Sequence, residues 1–227
     1  MIVREARVFN PESKIQNLKS LLSLVLIATL TYSCAGRRQP VFTPAAREEA
    51  ERALSAWSDA VARAEARGAA RLLYEARVSQ GPFRMSGTLA VLQSEAGVEA
   101  MLSGPFGDAI ARYTDGALRG NGIRPIRIAP QELRWLLAGV WKGDETPAVG
   151  GLNGQDALLQ WTGKEQVDGI LDLARGRFKS VNVARAEGAI AASYSGEASP
   201  WPQRIELKDL GSGYTLRLTL VATEPTP

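Results

Sequence analysis

The chain of 227 residues contains no histidine and a single cysteine, Cys34. Without histidine there can be no Ser-His-Asp or Cys-His catalysis, no histidine ligand for zinc and no histidine proton shuttle. One cysteine can form neither an internal disulfide nor a thiolate metal cluster. The composition therefore predicts no metal and no cofactor, and it removes most common enzyme classes.

The chain also lacks a strong excess of charge of one sign. It has 27 Lys and Arg against 24 Asp and Glu, a net charge of +3, and its longest run of basic residues is Arg37-Arg38. Proteins that bind nucleic acid normally carry a pronounced basic patch or stripe. We therefore expect no nucleic-acid partner.

No apolar run of transmembrane length accounts for the N-terminal segment. Its apolar stretch, residues 21–30, has ten residues, whereas a helix needs about 20 to cross a bilayer. Four basic residues precede this stretch and Thr31-Tyr32-Ser33-Cys34 follows it. A basic region, a short apolar region and small residues at the boundary are typical of a secretory signal. We predict a lipoprotein signal peptide over residues 1–33 and a tether over residues 34–42.

Cys34 lies where such a signal would be cleaved, and the boundary resembles a bacterial lipobox. A free thiol is a liability in an oxidising compartment, which favours acylation of Cys34 over an unmodified thiol after a plain signal peptide. The resemblance implies a diacylglycerol and a further acyl chain, such as palmitate, on Cys34. Ala35 follows, and by similarity to enterobacterial sorting this implies the periplasmic face of the outer membrane.

The pattern of the remaining chain predicts two helices. Thr43 as N-cap and Pro44 at the first helical position favour a long helix that reaches about Arg67, with Gly68 as its stop. A second, short helix is predicted over residues 130–137, ending at Gly139. The glycine-rich residues 142–155 are predicted to form a loop.

Elsewhere the period of hydrophobicity is two, which predicts strands separated by turns. Strands are expected at residues 71–80, 83–94, 98–103, 108–114, 117–120, 156–162, 167–173, 178–184 and 189–194, followed by a hairpin of residues 204–208 and 214–220. Consecutive short strands joined by tight turns indicate an antiparallel sheet. Several strands are apolar on both faces, so both faces need cover.

The predicted fold class is therefore α+β. It consists of an antiparallel curved sheet, a half-closed β-barrel, covered by a long N-terminal helix and a short mid-chain helix. Such a sheet can enclose an apolar cavity, although the same pattern is also satisfied by an ordinary filled core.

Four segments, in this order, make the chain resemble the LolA and LolB lipoprotein-localisation superfamily, and LolB-like proteins in particular. They are the signal ending at Cys34, the turn at residues 102–107 (LSGPFG), the helix end at residues 133–139 (LRWLLAG) and the hairpin that begins at residues 201–207 (WPQRIEL). The resemblance implies a LolB-like half-barrel domain over residues 43–224.

The resemblance also implies a function and site residues. The protein would be a non-enzymatic outer-membrane lipoprotein that takes lipoprotein acyl chains from a periplasmic LolA-like carrier and helps to insert them into the membrane. Phe106 would press into the bilayer. Lipid-binding candidates on the cavity wall are Phe83, Met85, Leu89, Val91, Leu102, Trp135, Trp161, Leu207, Leu216 and Leu218.

Two other functional classes remain open. One is a structural or assembly adaptor of the cell envelope, with a filled barrel and no lipid cargo. The other is a carboxylate-dependent hydrolase, for which Asp108, Asp115, Asp168 and Asp172 are available. No pair of these has a supporting base, so an enzyme is not the expected class.

Overall fold

The computed structural model describes residues 40–94, 97–120, 123–163, 165–186, 188–196 and 200–225, of which Phe42 onward belong to one compact unit. The predicted signal peptide, residues 1–33, and the acylation site Cys34 lie outside the described residues. Among the described helices, none has the combination of length and hydrophobicity needed to cross a bilayer.

The first helix, α1, spans Arg47–Glu65. Its inner face buries Ala53, Ala60, Val61 and Ala64, small residues that allow the helix to approach the sheet closely. The predicted start at Thr43-Pro44 is wrong. Thr43 instead forms an antiparallel bridge with Leu152, with N–O distances of 2.9 and 2.8 Å, so its backbone is extended. Glu49 caps the helix by accepting a hydrogen bond from the Ala46 amide at 2.9 Å.

Thirteen strands in the described part of the chain form one antiparallel sheet. They are β1 Ala70–Gln80, β2 Phe83–Ser94, β3 Gly97–Ser103, β4 Ala109–Thr114, β5 Ala117–Gly120, β6 Ile123–Arg127, β7 Ala148–Asn153, β8 Asp156–Thr162, β9 Gln166–Asp172, β10 Arg177–Arg185, β11 Gly188–Ser195, β12 Arg204–Asp209 and β13 Tyr214–Pro225. Their order is β6-β5-β4-β3-β2-β1-β13-β12-β11-β10-β9-β8-β7.

This order explains why the sheet is open. Each strand pairs with its neighbours in sequence, except that β6 and β7 do not pair with each other, and the pairing of β1 with β13 joins the two halves in the middle. The edges are therefore β6 and β7. Between them in sequence lies the second helix, α2, Pro130–Ala138, which ends at Gly139 in the left-handed conformation, with φ of 72°. The α+β class, the curved antiparallel sheet and the two helices are as the sequence predicts.

The two edge strands are where the sequence prediction failed. The predicted loop at residues 142–155 contains β7, and β6 lies between residues 120 and 130, where no strand was predicted. Both strands carry residues typical of turns. Pro125 lies in β6, where an edge strand tolerates a missing amide hydrogen. Gly151 lies in β7, where a Cβ atom would come 2.6 Å from the Thr43 carbonyl oxygen.

Alternate residues of the strands point to one face and form the core. In the central strand β1, Leu72, Tyr74, Ala76 and Val78 are all buried, while the intervening residues are half-buried or exposed. Because the side-chain period of a strand is two, this alternation fixes one inner and one outer face for the whole sheet. The two helices lie on the inner face, and the space beneath α2 is the candidate site.

Candidate functional site

The interior beneath α1 is filled by aromatic side chains. Trp161 packs edge-on against Trp57, with ring centroids 6.1 Å apart, and lies 6.4 Å from Phe178. The Trp57 indole donates a hydrogen bond to the Trp141 carbonyl at 2.9 Å. A Cβ atom at Gly169 would lie 2.4 Å from the Phe178 ring. This half of the sheet therefore has a packed core.

The interior beneath α2 contains a cavity of about 40 Å³. Its wall is formed by one face of α2 and by strands from both halves of the sheet. The lining residues are Leu89, Val91, Ala100, Tyr113, Leu118, Ile126, Ile128, Leu133, Leu137, Ile190, Leu207, Lys208, Asp209, Tyr214, Leu216 and Leu218. The volume suffices for about three waters, but a cavity with apolar walls stays dry and accepts apolar guests.

Five of the predicted cavity residues line this space: Leu89, Val91, Leu207, Leu216 and Leu218. Leu102 and Trp135 are buried in the same core but are not on the cavity wall. Trp161 belongs to the packed half beneath α1. Met85 is only partly buried, and the Phe83 side chain is 39% exposed at the beginning of β2, so the structure does not place it in the interior.

The part of the cavity wall that α2 and the strands β4–β6 supply was not predicted from the sequence. Leu133 and Leu137 lie one helical turn apart and line the cavity together. That i, i+4 spacing is the signal that could have identified them. Tyr113 alternates with exposed neighbours in β4, which is a similar signal for an inward side chain. Ile126 and Ile128 lie in and after the strand that was not predicted.

Polar contacts hold the beginning of α2 over the cavity. The Tyr113 hydroxyl donates a 2.5 Å hydrogen bond to the Ile128 carbonyl, just before the helix. Burial, and then the charge of Glu132, raise the pKa of Tyr113 to about 12, so the phenol remains a donor. Glu132 accepts from the Ala129 amide at 2.9 Å and also forms an ion pair with Arg185 of β10.

Arg67 fixes the other end of α2. Its guanidinium donates a 3.0 Å hydrogen bond to the Ala138 carbonyl and lies 4.9 Å from the centroid of the Trp201 ring. Burial, and then the neighbouring charge of Arg63, lower the pKa of Arg67 to about 10. It therefore stays charged at neutral pH. Gly139 packs so closely that a Cβ atom there would lie 2.6 Å from Pro202.

Buried hydroxyl groups lie within the apolar interior. The hydroxyls of Tyr74, Tyr194 and Tyr214 have no hydrogen-bond partner among the described residues. Burial raises the pKa of all three phenols, so they are neutral. Tyr214 belongs to the cavity wall. An unsatisfied buried hydroxyl costs about 1–3 kcal/mol, and a guest that carries a carbonyl oxygen would satisfy it.

Phe106 lies at the tip of the turn between β3 and β4, and its side chain is 96% exposed. The turn is closed by hydrogen bonds from the Gly104 amide to the Asp108 carbonyl at 2.8 Å and from the Gly107 amide to the Gly104 carbonyl at 3.0 Å. Gly107 has a φ of 83°, which glycine adopts without strain. The backbone thus presents Phe106 outward.

Two of the four carboxylates considered for catalysis, those of Asp172 and Asp168, have partners within the fold. Asp172 is buried, accepts a hydrogen bond from the Arg175 amide at 3.1 Å and lies 3.9 Å from the Lys179 ammonium. Asp168 accepts from Gln160 at 2.9 Å. Asp115 occupies a turn, with φ of 52°, and Asp108 closes the Phe106 turn. None of them lines the cavity under α2, and no cluster of three metal-ligating side chains occurs among the described residues.

Comparison with known proteins gives structural likeness only. No family model and no curated protein matches the chain. A LolA superfamily protein from Nitrosomonas europaea is 13% identical, with a TM-score of 0.49, covering 75% of this chain and 94% of its own. A putative outer membrane lipoprotein-sorting protein domain from Vibrio parahaemolyticus is 15% identical, with a TM-score of 0.45 and coverage of 77% and 92%.

A DUF1329 family protein from Desulfovibrio piger is 7% identical, with a TM-score of 0.44, and the match covers 76% of this chain and 92% of that one. At identities this low and TM-scores below 0.5, none of these likenesses assigns a family or an activity to the chain. The interpretation of the site therefore depends on its own residues.

Proposed function

We propose that this protein is an outer-membrane lipoprotein that binds acyl chains between α2 and the sheet. It would be anchored on the periplasmic face through acylated Cys34, receive lipoproteins from a LolA-like carrier and insert them into the membrane. The observation that carries the proposal is the predominantly apolar lining of the cavity beneath a nine-residue helix. The ordered sequence motifs of a LolB-like protein support the same conclusion.

Acyl-chain binding requires α2 to move, because a cavity of about 40 Å³ is far smaller than a fatty acyl chain. A few polar contacts oppose this movement, among them those of Tyr113, Arg67 and Arg185. Each net hydrogen bond contributes about 0.5–1.5 kcal/mol, and more where a charge is involved. Burial of a chain returns about 0.8 kcal/mol per methylene. A guest that also covers the apolar face of α2, where Leu133, Leu136 and Leu137 are buried, therefore offsets the loss of these polar contacts.

The transfer we propose has no covalent step. An acyl chain leaves the carrier, enters beneath α2 and then moves into the bilayer beside the anchor, driven at each stage by burial of apolar surface. Tyr214 would donate its unpartnered hydroxyl to an ester or amide carbonyl at the head of the chain. Phe106 would insert into the interface and hold the domain against the membrane during release.

The test is a transfer assay with the domain anchored to liposomes through Cys34 and a periplasmic carrier loaded with a lipoprotein. Cargo incorporation should require the anchored protein and fall strongly with Phe106→Glu, because a carboxylate cannot enter the apolar interface. Phe106→Leu is the matched control, since it keeps an apolar tip and should retain most of the transfer. If cargo stays with the carrier in every case, the receptor function is refuted.

The small volume of the cavity supports a second candidate, an envelope adaptor with a filled barrel and no lipid cargo. The two functions differ in one observable. Native mass spectrometry of the purified full chain, before and after incubation with a long-chain fatty acid, detects a bound chain directly. A saturable 1:1 complex favours the receptor, and an unliganded protein at saturating fatty acid favours the adaptor.

A further inference from the structure

The hairpin turns at one end of the strands expose large apolar side chains. Phe106 lies on the β3–β4 turn, Phe83 beside the β1–β2 turn and Leu210 on the β12–β13 turn, with exposed fractions of 96%, 39% and 63%. These three hairpins are consecutive in the sheet order. Since adjacent strands are about 4.8 Å apart, the hairpins follow one another at intervals of roughly 10 Å.

The strand register ties two of these turns closely together. Phe83 pairs with Gln80, Gln80 with Tyr214 and Tyr214 with Asp209, the residue before Leu210. The Gln80 side chain also donates a 3.3 Å hydrogen bond to the Ser212 carbonyl. Phe83 and Leu210 therefore belong to one rigid end of the sheet rather than to two independent loops.

A basic band lies on the outer face directly behind these turns. The next outward-facing register row contains Arg84 and Lys208, and the one after it contains Arg77 opposite Arg217. The acidic residue of these two rows is Glu206, which lies 2.7 Å from Lys208 and 2.5 Å from Arg217. Four cations and one anion leave an excess of three positive charges beside the apolar tips.

The carboxylate closest to the Leu210 tip is engaged by its own turn. Asp209 accepts hydrogen bonds from the amides of Gly211 and Ser212 at 2.9 and 3.2 Å. Arg77 and Arg84 form no ion pair with a described carboxylate. The charges of Arg77 and Arg84 are therefore available to an external anion, whereas Lys208 and Arg217 share the single carboxylate of Glu206.

We propose that this end of the sheet, defined by Phe83, Phe106, Leu210 and the basic band, is a multipoint docking surface for an anionic lipid bilayer. Apolar tips bury area in the interface, and the cations behind them meet the negative headgroups. The proposal deepens the proposed function and rests on it for the role of Phe106. The cavity wall includes Lys208 and Asp209, so the apolar interior extends to the end of the sheet that would face the membrane.

Fluorescent labels on single cysteines provide the test of depth. In the full chain with Cys34→Ser, an environment-sensitive NBD label is attached at position 83, 106 or 210, or at position 155 as a control. Gln155 is exposed in the turn between β7 and β8, at the opposite end of the strands. Vesicles contain phosphatidylcholine alone or mixed with phosphatidylglycerol, with or without lipids that carry a nitroxide on the acyl chain.

Labels at positions 83, 106 and 210 should all shift to the blue and be quenched by the nitroxide lipids, whereas the label at 155 should not. Insertion of position 106 alone would overturn the multipoint surface but leave the proposed function intact. Equal insertion of position 155 would also overturn it. Failure of the wild-type protein, anchored through Cys34, to transfer lipoprotein despite insertion at all three tips would instead refute the proposed function.

The basic band is tested by vesicle affinity. Replacing Arg77 and Arg84 by Gln should weaken binding to phosphatidylglycerol vesicles roughly 25-fold, about fivefold per cation, with little effect on neutral vesicles. Replacing Arg47 and Arg52 of α1 by Gln removes the same charge elsewhere and should have a much smaller effect. Equal losses for the two double variants would overturn the role of the band.

Discussion

Replacing Arg67 by Met should release the end of α2 without removing a core side chain. The substitution removes the hydrogen bond to the Ala138 carbonyl and the stacking on Trp201. A hydrogen bond from a charged donor contributes about 1.5–3 kcal/mol, and a cation–π contact adds about 0.5–1 kcal/mol. Loss of the desolvation cost that lowers the Arg67 pKa offsets part of this. We expect α2 closure to weaken by about 1–3 kcal/mol.

Since every 1.4 kcal/mol changes an equilibrium tenfold, α2 should open roughly 5 to 140 times more often. Hydrogen exchange of the α2 amides, measured by mass spectrometry, should accelerate by that factor, and a fluorescent fatty acid should associate faster. Arg63→Met is the matched control, because Arg63 lies in the last turn of α1, only four residues before Arg67, but donates to the Gly176 carbonyl at 2.9 Å. Unchanged α2 exchange in Arg67→Met, or equal acceleration in the control, would show that Arg67 does not hold α2 closed.

Three further predictions concern stability and ligand binding. Tyr214→Phe should raise the free energy of unfolding by about 1 kcal/mol, because it removes an unsatisfied buried hydroxyl, and should weaken binding of an acyl ester; urea titration and an ester-binding assay check both. Gly151→Ala should destabilise the fold by about 1–3 kcal/mol, because its Cβ atom would meet the Thr43 carbonyl, whereas Gly163→Ala, which has open space, should be neutral in the same titration. Hydrogen bonds from Lys208 and Arg217 lower the pKa of Glu206, so Glu206 should add a little, under about 1 kcal/mol, to the free energy of unfolding above the ordinary glutamate pKa. This contribution should be lost as the pH falls through the lowered pKa, and the difference in unfolding free energy between wild type and Glu206→Gln across acidic pH measures it.

The central strands and α2 were predictable from sequence because their local signals agree. In β1 and β13 a period-two alternation coincides with turn residues at the strand ends, and in α2 a proline at the start and Gly139 at the end mark the boundaries. Where hydrophobic period and turn chemistry point to the same answer, the assignment needs no tertiary information.

The edge strands were not predictable because tertiary contacts define them. β7 contains Gly150 and Gly151, typical of a loop, but Thr43 pairs with it from the start of the domain. The same contact removes Thr43 from its predicted role as a helix cap. Neither the sequence around Thr43 nor the sequence of β7 indicates that these two segments pair.

The site was predicted in part for a similar reason. Alternation placed Leu89, Val91 and Leu216 on the inner face, but it could not say which half of the interior each residue joins. Trp161 faces inward as expected and yet packs under α1, where Trp57 and Phe178 fill the space. Exposure at the end of a strand likewise separates Phe83 from its inward-facing partners in β2.

Locating a bound acyl chain tests the proposed binding site beneath α2 directly. A fatty acid with a diazirine at the end of its chain is incubated with the full-length protein, photolysed and mapped by mass spectrometry. Binding beneath α2 predicts cross-links on the cavity wall, at residues such as Leu89, Leu133 and Leu216, with more of them in the Arg67→Met variant. Cross-links confined to exposed apolar residues of the outer face, such as Leu92 and Met101, would contradict it.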